Sequence, residues 1–229
     1  MPTFAPAHTF AGQFGVKTIV YGPPGSGKTP MVDTAPRPVL LAVEPGMLTM
    51  KNSFVPTCMA TTPEQIDDFF RWFFTSQETK NYDTLAIDSV SQIAEIIVEQ
   101  ELNKKSKSGN KVDGKAAYGE MSRRVMEYMN GLYYTREKHI YIIAKQGDTE
   151  VAGQKELRPY FPGKDLNIKI PHLFDEVLHL SKVHVPNVGE VKALRARPTY
   201  GIFARDRSDK LAEFEQPNLT LLFNKILQG

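Results

Sequence analysis

The chain has 229 residues, 41% apolar and 24% charged, enough for the core of one α/β domain spanning 1–229 and too short for two. Lys and Arg number 28 against 26 Asp and Glu, so the net charge of +2 excludes a polybasic carrier and leaves polyanion binding to a local patch. One cysteine excludes a disulfide framework and suits a reducing compartment. No apolar run reaches the roughly 18 residues of a membrane span, and the N-terminus lacks a basic-then-apolar leader pattern; both favour a soluble cytoplasmic protein with no membrane partner.

Residues 1–15 are rich in Pro, Ala, Gly and Thr and predict a surface arm. Residues 16–21 form an apolar run that reads as a short buried strand, and Gly22-Pro23-Pro24-Gly25-Ser26-Gly27-Lys28-Thr29 follows it, matching G-x-x-x-x-G-K-[ST]. A helix starting near Lys28 must end by Ala35, because Pro36 and Pro38 cannot continue it. Strands are expected at 39–43, ending in the turn Glu44-Pro45-Gly46, and at 55–60, where Cys58 reads as a core residue. Thr62-Pro63-Glu64-Gln65 carries a cap, a first-turn proline and a third-position glutamine, which together start a helix running to about Ser76. Ile66, Phe69, Phe70 and Phe73 recur at helical spacing and form its sheet-packing stripe.

A strand at 84–88 ends in Asp88, and a helix follows over 89–103. Residues 104–115 break the composition with five lysines and predict a mobile loop; a helix over 117–138 and a strand at 139–144 come next. Residues 147–171 read as a second long, functional loop. Strands at 176–184 and 191–196 are joined at Pro186-Asn187-Val188-Gly189, a further strand covers 200–204, and Pro217 opens a last helix. Alternating strands and helices followed by hairpins predict a mostly parallel central sheet flanked by helices, with antiparallel strands added towards the C-terminus.

The chemistry starts from the glycine-rich turn. Its backbone N–H groups can curl round a phosphate chain, and Gly22, Gly25 and Gly27 permit the turn and the close approach. Lys28 can reach the β- and γ-phosphates, and the Thr29 hydroxyl can ligate Mg²⁺ opposite Asp88, with a nucleoside triphosphate as the substrate. The residue after Asp88 is Ser89, so no acid beside the metal carboxylate serves as base; Glu44, at the end of the neighbouring core strand, is the candidate to activate water. Asn110-Lys111-Val112-Asp113 satisfies the guanine-reading N-K-x-D pattern but follows a lysine-rich stretch instead of an apolar strand. A nucleotide kinase would need clustered lid arginines, and 147–171 offers Arg158 alone. The five histidines show no metal-ligand spacing and read as core or surface residues.

The arrangement resembles the RecA-like P-loop ATPases, and within them the small phage nucleotide-binding proteins of the single-strand annealing type. The matching stretches are GPPGSGKT at 22–29, PRPVLLAVEPG at 36–46, YDTLAIDS at 82–89, FDEV at 174–177 and ARDR at 204–207. The resemblance implies ATP hydrolysis with Glu44 as base and a polar phosphate sensor at the end of the 139–144 strand, either Gln146 or, one residue earlier, Lys145. It also implies a finger pair, Arg205 and Arg207, reaching a neighbouring subunit's site in a ring or filament; a solvated charge cluster with Asp209 and Lys210 is the other reading of that pair. Single-stranded DNA is the implied partner in phage recombination, with a phage or host single-strand-binding protein as a further one and the host cytoplasm as the compartment. Its candidate contacts are Lys104, Lys105, Lys107 and Lys111 in the first loop and Lys155, Arg158, Tyr160, Phe161 and Lys164 in the second, unless Tyr160 and Phe161 fold back onto the core. The alternative is a nucleotide-gated loader or assembly factor that acts on a protein without touching DNA.

Overall fold

The computed structural model describes residues 4–10, 12–107, 113–151, 153–163 and 165–228. Strands β1 (Lys17–Tyr21), β2 (Pro38–Ala42), β3 (Thr57–Met59) and β4 (Thr84–Asp88) alternate with α1 (Pro63–Thr75) and α2 (Val90–Lys107). Then come α3 (Gly114–Tyr133), β5 (His139–Val151), β6 (Gln154–Tyr160) and α4 (Leu166–Leu173). The chain closes with β7 (Glu176–Val185), β8 (Gly189–Arg195), β9 (Arg205–Asp206), β10 (Phe214–Glu215) and α5 (Leu219–Gln228).

The strands form one sheet in the order β10-β8-β7-β1-β5-β4-β2-β3, with β6 paired to β5 and β9 to β7. From β7 to β3 the neighbours are parallel, while β8, β10, β6 and β9 are antiparallel additions. The alternation of the pleat sorts the apolar runs into two cores. Ile19, Tyr21, Leu41, Leu85, Ile87 and Ile142 face the layer made by the first four helices. Val20, Leu40, Ala86, Tyr141 and Ile143 face the opposite layer, made by α5 and the 3₁₀ segment Thr29–Thr34.

Local chemistry explains where elements begin and end. Thr62 caps α1 by accepting from the Gln65 N–H, while the Gln65 side chain accepts from the Thr62 N–H, and Pro63 sits where its missing donor is not needed. The same helix stacks Phe70 on Tyr128 of α3 at 4.1 Å between ring centroids. Asp113 caps α3 through the Ala116 N–H, which gives this residue of the N-K-x-D match a structural use.

Several expectations are corrected. The segment after the glycine-rich turn is a six-residue 3₁₀ helix instead of an α-helix. Cys58 is exposed, because β3 is a short edge strand, with Thr57, Cys58 and Met59 all exposed. Residues 147–171 are not a loop: β5 runs on past 144 and turns back as β6, and α4 follows. Likewise α2 continues to Lys107 through part of the predicted break. The expected 200–204 strand reduces to isolated bridges at Ile202, since Tyr200 and Gly201 form a turn. Among the described residues no helix is long and apolar enough to cross a membrane.

Candidate nucleotide site

The turn from Gly22 to Thr29 stands at the C-terminal end of β1 and opens on a cleft of about 450 Å³ lined by Lys28, Thr29, Glu44, Asp88, Lys145 and Gln146, among others. Gly22 lies against β7: a Cβ there would sit 2.2 Å from the Leu180 carbonyl oxygen, so no larger residue fits. Gly27 has φ +107°, a conformation that side chains disfavour. Lys28 folds back over the turn, its Nζ donating to the carbonyls of Gly22 at 2.7 Å and Pro23 at 3.0 Å. Burial lowers its pKa, opposed by the nearby Asp88 and Glu44 carboxylates. Underneath, the buried Tyr141 hydroxyl donates to the Lys28 carbonyl at 2.8 Å and pins the turn to β5.

Sheet order brings the acids to the cleft. β5 lies between β1 and β4, and β2 lies beyond β4, so the ends of all four strands border one opening. Thr29 donates its hydroxyl to Asp88 Oδ2 at 2.5 Å. Burial holds the Asp88 carboxyl above the usual carboxylate range, with the charge of Glu44 adding to it and Thr29 and Lys28 opposing. A hydroxyl and a carboxylate short of positive charge are hard oxygen donors, a set that would suit Mg²⁺. Glu44, half-buried just past the end of β2, accepts the Ser89 hydroxyl on Oε1 at 2.6 Å, and its Oε2 makes no hydrogen bond among the described residues. The Asp88–Ser89 peptide is cis.

Midway along β5, the pleat sends Lys145 and Gln146 to opposite faces. Lys145 is tied to α2 through Gln92 at 2.8 Å and Glu95 at 2.6 Å. Gln146 meets His179 of β7 at 2.9 Å, between its Oε1 and the imidazole Nε2. In the sequence His179 reads as a core or surface histidine and Lys192 carries no mark, yet the Lys192 Nζ would lie 2.9 Å from a Cβ on Gly27. No local pattern marks either residue; pairing of β7 with β1 and β8 is what carries them to the site.

The remaining candidates fall elsewhere. Arg205 and Arg207 flank the start of β7, the end of the sheet away from the phosphate turn. Arg205 donates to the carbonyl of Pro171 at 2.5 Å and to that of Phe174; Arg207 binds Asp175 at 3.1 Å and the His172 carbonyl at 3.0 Å. Both guanidinium groups thus close α4 within their own chain. Phe161 is fully buried in the core, which removes it from any base-stacking surface. Arg158 pairs with Glu156 and lies 4.2 Å over the Phe203 ring, Lys104 pairs with Glu101, and Lys155 and Tyr160 are exposed. Lys111 and Lys164 lie outside the described residues, as do the side chains of Lys105 and Lys107.

A phosphate turn carrying lysine, a hydroxyl–carboxylate pair and a second carboxylate one strand further defines a P-loop nucleoside-triphosphatase site. The family described as an AAA domain matches residues 15–208, and the chain belongs to it. No curated protein matches the chain. Among solved structures, a KaiC-like protein from the hyperthermophilic archaeon Pyrococcus horikoshii is similar at 13% identity and a TM-score of 0.42, over 79% of this chain and 77% of that one.

Proposed function

We propose that the chain is a Mg²⁺-dependent ATPase in which Glu44 is the general base and Gln146 reads the terminal phosphate. The observation that carries the reading is the convergence of Lys28, the Thr29–Asp88 pair and the Glu44–Ser89 pair on one cleft. Backbone N–H groups of the turn and the Lys28 amine bind the β- and γ-phosphates once the amine leaves the carbonyls it now holds. Thr29 and Asp88 would hold Mg²⁺, whose charge offsets that of the phosphate oxygens. Ser89 fixes Glu44 by one oxygen, and the other accepts a proton from water as the water oxygen bonds to the γ-phosphorus and ADP departs with the bond electrons. Glu44→Gln keeps the shape and the Ser89 contact and loses the proton acceptor. ATP binding should stay within about threefold while phosphate release falls by ~10². Turnover surviving in that variant overturns the assignment of the base.

The ATPase cycle acts on a partner through the β5–β6 hairpin, which grows directly out of Gln146. Single-stranded DNA, annealed during phage recombination by a self-associating protein, is the partner the resemblance implies, and exposed Lys155 and Tyr160 support it. One observation favours a second reading. From 147 to 160 the hairpin sets Lys155 and Arg158 against Asp148, Glu150 and Glu156, and Arg158 is already paired. That balance gives a polyphosphate no cationic track and supports a nucleotide-gated loader or assembly factor acting on a protein. Salt-sensitive retention on single-stranded DNA, lost in Lys155→Glu, decides for DNA; no retention at low salt decides for the protein partner.

A further inference from the structure

We propose that His179 is a positioning residue of the ATP site: its Nε2–H holds the Gln146 amide oxygen and turns the amide NH₂ towards the terminal phosphate. The inference rests on the ATPase reading above and adds the residue that orients its sensor. His179 is 4% exposed, and its ring packs on Tyr21 at 4.9 Å between centroids, so the imidazole has little freedom to turn. Nδ1 is buried with no hydrogen-bond partner among the described residues, whereas Nε2 lies 2.9 Å from Gln146 Oε1. This asymmetry selects the tautomer. With the proton on Nε2, the orphaned Nδ1 is a bare acceptor; with the proton on Nδ1, an N–H donor would be buried unpaired, the rarer and costlier state. Burial, with the positive charges of Arg195 and Lys28 added, lowers the His179 pKa to about 4, so the ring is neutral near pH 7.

Gln146 lines the same cleft as Lys28, Glu44 and Asp88. With its oxygen held, the group it has left to offer the cleft is the NH₂, a donor suited to a phosphate oxygen. An amide free to flip would present its oxygen to the phosphate half the time and repel it. Locating the donor before ATP arrives removes that penalty from the transition state. β7 is the right element for this task because it borders the phosphate turn through Leu180, one residue from His179.

Two measurements test the proposal. Nitrogen-15 NMR of the imidazoles in the intact wild-type protein should show His179 neutral and protonated on Nε2; a proton on Nδ1 overturns the proposal, and this result does not depend on hydrolysis. Steady-state phosphate release then separates positioning from packing. His179→Phe keeps the ring on Tyr21 and should lower kcat about tenfold, with KM for ATP within twofold. His179→Gln, whose amide nitrogen takes the place of Nε2, should recover most of the loss. In a Gln146→Ala background, His179→Phe should cost nothing further. An unchanged kcat in His179→Phe, or losses that multiply in the double variant, overturns the proposal. No phosphate release from the wild type would overturn the ATPase reading instead, and the tautomer would still be read.

Discussion

The Lys28 amine donates to the carbonyls of Gly22 and Pro23, which holds the turn curled in the shape that binds anions. Lys28→Ala should leave the melting temperature nearly unchanged, since the turn is also held by Gly22 packed against β7 and by the Tyr141 hydroxyl on the Lys28 carbonyl, a backbone group the substitution keeps. Phosphate release should fall by ~10² or more, the usual scale for losing a charged transition-state contact. Near wild-type turnover from a variant with normal circular dichroism would remove the residue from the chemistry. Glu44 is the complementary case. The sequence suggests the acid from its place at the end of a core strand; its hydrogen bond to Ser89 adds a hydroxyl at the position where the sequence shows only that no acid follows Asp88.

Among the elements, α4 is the one whose sequence reads least clearly. It has eight residues, carries Pro171 near its end, and its N-cap, Asp165, makes no side-chain capping bond. Arg205 compensates from β9 by donating to the carbonyls of Phe174 and of Pro171, the second of which also accepts the Phe174 N–H at 3.4 Å. Arg205→Ala should cost about 2 kcal/mol in a urea titration, as hydrogen bonds from a charged donor do. Arg207→Ala should cost less than about 1 kcal/mol, because its ion pair with Asp175 is partly exposed. A double variant that unfolds like the wild type yet loses turnover would instead give the pair a role at a neighbouring subunit's phosphate site. The β5–β6 hairpin teaches a related lesson. Its Gly and Pro content suggests a loop, but cross-strand pairing from Lys145–Tyr160 to Val151–Gln154 holds it as a ribbon.

The stability of the whole molecule depends on a carboxyl group far from the cleft. Glu176 is fully buried at the start of β7, and its pKa is pushed up to about 8, first by burial and then by the Asp206 and Asp175 carboxylates. In the unfolded chain it titrates near the ordinary glutamate value of 4.5. Between those values the folded state binds the extra proton, so stability is full below the unfolded pKa and is lost as pH rises towards 8. Glu176→Gln keeps a neutral amide in place and should flatten this decline. By pH 8 the variant should be the more stable by an amount on the order of 2 kcal/mol in chemical denaturation. A wild-type profile flat between pH 5 and 8 would refute the buried neutral carboxyl.

What the sequence determined alone is what is encoded locally. The phosphate turn, the Thr62 cap with Pro63 and Gln65, and the five-residue apolar strands each carry their own signal, because turn dihedrals, capping and pleat periodicity act over a few residues. Strand–helix alternation made the parallel sheet legible by the same means. Tertiary structure decided what depends on register between distant segments. Cys58 reads as apolar core, but β3 is an exposed edge strand, so its neighbours bury less than its composition suggests. Phe161 belongs to the core and Arg158 to Glu156, although both look like ligand contacts in a basic, aromatic stretch. His179 reaches Gln146 across 33 residues because β1 lies between β5 and β7 in a sheet whose order no local pattern states. Long-range pairing is fixed by the burial of both sheet faces at once, a property of the whole chain that no single segment carries.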